Sequence, residues 1–126
     1  MTTPTPATSP PTAQPFTWSA LPAVVQDYLR AHVEQDFATA VTHLPDDVVV
    51  VDNGETLEGR AATLTVFEES AELYDVTTTL LTVARPADDT WEVGTHLSGT
   101  FPGGEVDLRM LFTLVEGVVR RLEITA

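Results

Sequence analysis

Between Pro45 and Gly54 the chain reads two acids, four valines, one aspartate and Asn-Gly. A run of β-branched side chains suits a packed, pleated surface and predicts a buried strand, and Asn-Gly ends it with residues that tolerate positive φ. Upstream the apolar positions recur at helical spacing. Leu21, Val25, Tyr28 and His32 form one stripe, which predicts a helix to about Val33, with Ser19 as cap and Pro22 in its first turn. Asp36 is placed to cap a short second helix from Phe37 to Leu44, ended by Pro45. Downstream, Glu55 to Glu58 reads as a return strand, and Gly59 opens a third helix. In that helix Ala61, Leu64, Phe67, Ala71 and Tyr74 share the apolar side, with Glu68, Glu69 and Glu72 on the wet face.

From Asp75 the period changes to two. Strands are predicted at Val76–Ala84, Trp91–Phe101, Glu105–Val115 and Val118–Thr125, joined by turns at 85–89, Pro102-Gly103 and Glu116-Gly117. If Pro102-Gly103 is a two-residue loop, Phe101 pairs with Gly104, Leu97 with Leu108 and Thr95 with Met110. One face then carries Trp91, Val93, Thr95, Leu97, Val106, Leu108, Met110, Phe112 and Leu114. The other carries Glu92, His96, Ser98, Asp107, Arg109 and Thr113. Such alternation buries the apolar face against helices and leaves the other for water or a second subunit. The order, three helices interleaved with a small hairpin and then four antiparallel strands, is that of an α+β fold.

The chain of 126 residues is read as one domain, 16–126, behind a disordered Thr/Pro-rich tail, 1–15, that carries five prolines. A proline-motif ligand is the other reading of that tail. Phe16 and Trp18 are expected to lie as an aromatic lid on the first helix. The absence of cysteine excludes disulfides, thiolate metal sites and thiol nucleophiles. With 19 acids against 6 bases, all arginine, the net charge of −13 repels phosphate backbones and anionic lipid. Nucleic-acid and membrane roles are therefore set aside. No membrane-length apolar run, secretory signal or transit peptide is read, so a cytoplasmic location is expected. The three histidines lack metal-ligand spacing and no glycine-rich phosphate loop is present, so neither metal nor cofactor is expected.

Placed in this order, Val24 to Leu29, Pro45 through Asp52, Gly59-Arg60 and Phe112 through Ile124 resemble the nuclear transport factor 2-like superfamily. That group includes SnoaL-like polyketide cyclases and ketosteroid isomerases, and the resemblance covers about Trp18 to Ile124. It implies a cone, in which a curved antiparallel sheet wraps the helices and leaves a pocket at its open end. It also implies a homodimer through the outer sheet face. The isomerase branch places its catalytic base on Asp52 and its principal oxyanion donor on Tyr28, 24 residues earlier, a spacing like that of the isomerases. Its second donor falls on Met110, which cannot donate, so steroid isomerisation itself is not expected. The cyclase branch uses an Asp and a His from neighbouring late strands, parts that His96 and Asp107 could take as diagonal neighbours.

Each candidate has a plainer reading. Asp52, a carboxylate carried to the lip of an apolar interior, is either a base of raised pKa or an aspartate capping its own turn. Tyr28 is an enolate-steadying donor or a core tyrosine, and His32 a proton-transfer assistant or a satisfied helix histidine. His96, Asp107 and Arg109 form a charge cluster on the outer face, at a dimer contact, or around a water as in epoxide hydrolases. Phe67, Tyr74, Trp91, Leu97, Met110 and Phe112 are core and pocket wall. The function expected is a cofactor-independent proton-transfer enzyme, isomerase, cyclase or dehydratase, acting on a small apolar carbonyl compound. The alternative is a non-catalytic small-ligand-binding or dimerisation module of the same fold.

Overall fold

The computed structural model describes residues 13–126, so most of the predicted tail lies outside the described residues. Pairing begins before residue 16, because a short strand, β1 (Gln14–Pro15), lies along Val83 and Thr82 of β4 (Val76–Ala87). Phe16 continues it by donating its N–H to the Leu81 carbonyl at 3.0 Å. Trp18 receives Phe16 edge-on and the Arg30 guanidinium at 4.0 Å on its face, so the aromatic pair does lie on the first helix.

Helix α1 (Ala23–Val33) starts later than Ser19 and Pro22 suggested. Pro22 disfavours helical backbone at the residue before it, and Leu21 is extended there. Ser19 instead sits in a separate 3-10 turn, Trp18–Ala20, and Pro22 is the N-cap. At its other end α1 closes with paired bonds, Gln35 N–H to the His32 carbonyl and Asp36 N–H to the Ala31 carbonyl, both 2.9 Å. This motif needs a left-handed residue, and Gln35 supplies it with φ 60 where glycine is usual. Asp36 then caps α2 (Phe37–Ala40), which tightens into a 3-10 turn over Val41–His43.

The valine run forms β2 (Val49–Asp52), which enters the sheet between two strands. It pairs antiparallel with β3 (Glu55–Glu58) through an Asn53-Gly54 turn in which both residues have positive φ. On its other side it runs parallel to β7 (Val118–Thr125), opposing Asp52 to Ile124. Helix α3 (Arg60–Leu73) follows, and β4, β5 (Thr90–Gly99) and β6 (Glu105–Val115) complete a seven-stranded sheet ordered β1-β4-β5-β6-β7-β2-β3. The α+β expectation holds. The sheet is curved, mostly antiparallel and unclosed, and its inner face packs on the helices around fully buried Val25, Tyr28, Leu29, Val50, Val93, Phe112 and Leu122. No helix among the described residues is long and apolar enough to cross a membrane.

The β5–β6 register differs from the expected one by two residues. Leu97 pairs with Val106 and Thr95 with Leu108, because the connection is a four-residue loop, Thr100–Gly103, closed by Gly99 N–H to the Gly104 carbonyl at 2.9 Å. Gly103 and Gly104 both take positive φ, which Pro102-Gly103 alone would not require. An even shift preserves the faces. It does place His96 directly opposite Asp107 rather than diagonal to it.

That loop is seated on the start of β4. Asp75 N–H donates to Thr100 Oγ1 at 2.9 Å, Thr100 N–H donates to the Asp75 carbonyl at 3.0 Å, and Tyr74 meets Phe101 edge to face. Gly99 permits this approach, since a Cβ there would overlap the Asp75 carbonyl oxygen. Gly99→Ala is expected to lower stability by roughly 2 kcal/mol through backbone overpacking. Its urea unfolding midpoint checks this, and an unchanged midpoint would show that the strands are not held so close.

Candidate functional site

The period of two along β2 turns Val50 and Asp52 to the same, inner face. Val50 is buried in the core, whereas Asp52 is only partly covered and lines a cavity of about 310 Å³. The wall is mostly apolar and aromatic, built by Phe37, Phe67, Ala71 and Tyr74 from the helices, and by Val76, Leu97, Phe101, Val106, Leu108 and Ile124 from the sheet side. Gln35, Asn53, Ser70, Thr78 and the Tyr74 hydroxyl add polar groups to the wall, and His32 lies in it together with Asp52. This volume suits a ring-sized molecule.

Asp52 does not cap its turn. Asn53 instead ties the turn to the end of β7, donating its N–H to the Ile124 carbonyl at 2.7 Å and accepting the Ala126 N–H on Oδ1 at 3.2 Å. Among the described residues no hydrogen bond reaches the Asp52 carboxylate. Burial raises its pKa above the usual carboxylate value, and the neighbouring charge of Glu55 raises it further.

Tyr28, expected as the donor facing the ligand, is fully buried and outside the cavity wall. Its hydroxyl lies 2.9 Å from His32 Nδ1, and its ring packs edge-on against Phe112. Burial first, and then the charge of Asp52, hold the Tyr28 hydroxyl far above the ordinary tyrosine range. The position of contact with the cavity passes instead to His32, one turn further along α1. Its ring is held edge to face by Phe37 and Phe67, and burial lowers its pKa to about 4.

The other candidates divide. Phe67, Tyr74 and Leu97 do line the cavity. Met110 and Phe112 do not, because their inward positions lie deeper along β6, where Val93, Ile124 and Leu122 pair with them and close the core. Trp91 also lies outside the wall, half-buried with the Arg85 guanidinium 4.6 Å over its ring. His96, Asp107 and Arg109 point outward. His96 Nδ1 is 2.6 Å from Asp107 and Nε2 3.1 Å from Glu105, while Arg109 reaches Glu92 at 3.7 Å. Both ring nitrogens of His96 are thus occupied by surface carboxylates, and this cluster is separate from the cavity.

No protein-family model and no curated protein matches the chain. Solved structures do. A candidate polyketide cyclase from Sinorhizobium meliloti aligns with a TM-score of 0.79 and 29% identity, over 87% of this chain and 100% of that one. A protein of ketosteroid isomerase-like fold from Catenulispora acidiphila, in complex with trimethylamine, gives 0.71 and 18% identity over 83% and 85%. An NTF2-like protein from Cytophaga hutchinsonii gives 0.66 and 13% over 88% and 90%. The chain has the nuclear transport factor 2-like fold, in agreement with the resemblance seen in its helix and strand order.

The lowered pKa of His32 has a consequence for stability. The unfolded chain binds a proton at the ordinary histidine value while the folded protein resists it, so the stabilisation is complete above about pH 6.5 and is lost as pH falls toward about 4. Allowing for the part of the ring open to the cavity, wild type should lose on the order of 2 kcal/mol more than His32→Gln between pH 7 and pH 4. Urea midpoints across that range check it, and parallel curves would contradict it.

Proposed function

We propose that the protein is a cofactor-independent acid/base enzyme acting on a small apolar carbonyl compound. The observation that carries this reading is Asp52, a carboxylate with no hydrogen bond among the described residues, in the wall of an otherwise largely apolar cavity and with its pKa raised by burial. A carboxylate in this state is a stronger base than one in water. Asp52 takes the proton α to the carbonyl, and the electron pair moves onto the carbonyl oxygen as an enolate. Return of the proton at another carbon gives an isomerisation. Attack of the enolate carbon on a second carbonyl gives a cyclisation, and expulsion of a β-hydroxyl gives a dehydration. The shared fold with candidate polyketide cyclases and ketosteroid isomerase-like proteins supports this class of chemistry.

Turnover of an enone or β-dicarbonyl probe, followed by absorbance, tests the proposal. Asp52→Asn should lower kcat/KM by about 100-fold or more while probe binding changes little. Wild-type kcat/KM should rise with pH as Asp52 ionises, with its midpoint above the usual carboxylate value, and the variant should lack this limb. Equal rates in both proteins would remove Asp52 from the mechanism. Equal binding with no turnover in either would favour a binding module of the same fold.

A further inference from the structure

A phenolic hydroxyl has one hydrogen to donate, and a neutral imidazole nitrogen is a donor or an acceptor according to its tautomer. The Tyr28 hydroxyl, fully buried, has one partner among the described residues, His32 Nδ1 at 2.9 Å. If Nδ1 carried the ring proton it would donate to the phenol oxygen, and the phenol hydrogen would be left buried with no acceptor. That arrangement is unfavourable. In the opposite arrangement Tyr28 donates to Nδ1, both groups are satisfied, and the ring proton resides on Nε2. Burial keeps the phenol protonated and the imidazole neutral near pH 7, so no ionised form competes.

His32 lines the cavity, and with Nδ1 engaged behind it, Nε2 is the nitrogen left for a ligand. We infer that His32, as a neutral Nε2–H donor, is the group that holds the ligand's carbonyl oxygen, and that Tyr28 is a positioning residue that sets its tautomer. The inference rests on the cavity being the substrate site, and it assigns His32 the donor role that the family resemblance implied for Tyr28. It also restricts the ligand's charge. Every arginine is engaged outside the wall: Arg30 on Trp18, Arg60 on Asp46 and the Leu44 carbonyl, Arg85 on Trp91, Arg109 on Glu92, Arg120 on Asp47, and Arg121 on Glu123. A carboxylate or phosphate in the cavity would meet the Asp52 carboxylate and, among the described residues, no Arg or Lys to balance it. The ligand held by Nε2–H is therefore not an anion.

Long-range proton–nitrogen correlation spectra of the full, nitrogen-15-labelled protein read the tautomer directly and need no variant. The expected result is a bare Nδ1 and a protonated Nε2 at His32, and a protonated Nδ1 overturns the inference. The ligand role is read with 2-decalone and its isostere 2-methylenedecalin, which lacks the acceptor oxygen. Decalone should shift the His32 Nε2 signal. His32→Phe should weaken decalone binding about 5- to 10-fold, the usual effect of one lost hydrogen bond, and leave the isostere unaffected or tighter. Tyr28→Phe should act in the same direction, and retained isostere binding shows that each variant is folded. Parallel changes for both ligands would overturn the donor role. Because neither readout requires turnover, failure of Asp52 as a base and failure of this inference are separable.

Discussion

The structure depends on where β2 enters the sheet. A short strand of valines, paired parallel to β7 on one side and antiparallel to β3 on the other, has no freedom to slip, since a one-residue shift would turn Val48 and Val50 out of the core. The same constraint determines the direction of Asp52. It is an inward residue by register, brought to the point where the apolar interior opens into a cavity, and its turn is held by Asn53. A half-covered carboxylate with no donor among the described residues is an unfavourable component of a fold. That local conflict, in the wall of a cavity, is what the role proposed for Asp52 rests on.

The helices serve this site from the opposite side. The α1 stripe that fills the core with Val25 and Tyr28 continues one turn further to His32, where core becomes cavity wall. The helix then ends through Gln35 in a left-handed conformation that most side chains disfavour, and Gln35 itself lines the cavity. At the far wall, Gly99 lets the Thr100–Gly103 loop seat on Asp75, which brings Phe101 against Tyr74 and completes the enclosure.

Much of this was legible in the sequence, for reasons that can be assigned. Alternation from Trp91 to Leu114 is regular enough to identify the inner face, and an even register shift cannot change it, so the faces were right although the pairing was not. The loop was misjudged because Gly104 extends the turn beyond Pro102-Gly103 and only the backbone conformation shows it. Asp52 was found because the valine run and Asn-Gly bracket it. That His32 rather than Tyr28 lines the cavity was not legible, because both lie on one helical stripe and spacing does not say how deep along α1 the core ends. Gln35, Ser70 and Thr78 gave no signal beyond their polarity, and Asn53 signalled only its turn. Met110 and Phe112 shared the inner face with Leu108 but lie further along the strand, a distinction that depends on where the helices stop filling the cone.

The central claim is that Asp52 removes a proton from carbon in the cavity, and exchange of that proton with solvent tests it more directly than any complete reaction. In deuterium oxide, wild-type protein should catalyse deuterium incorporation at the α carbons of 2-decalone well above the buffer rate, and Asp52→Asn should return the rate to that of buffer. Incorporation by the variant at the wild-type rate, or none above buffer by wild type with the ketone bound, would contradict the account.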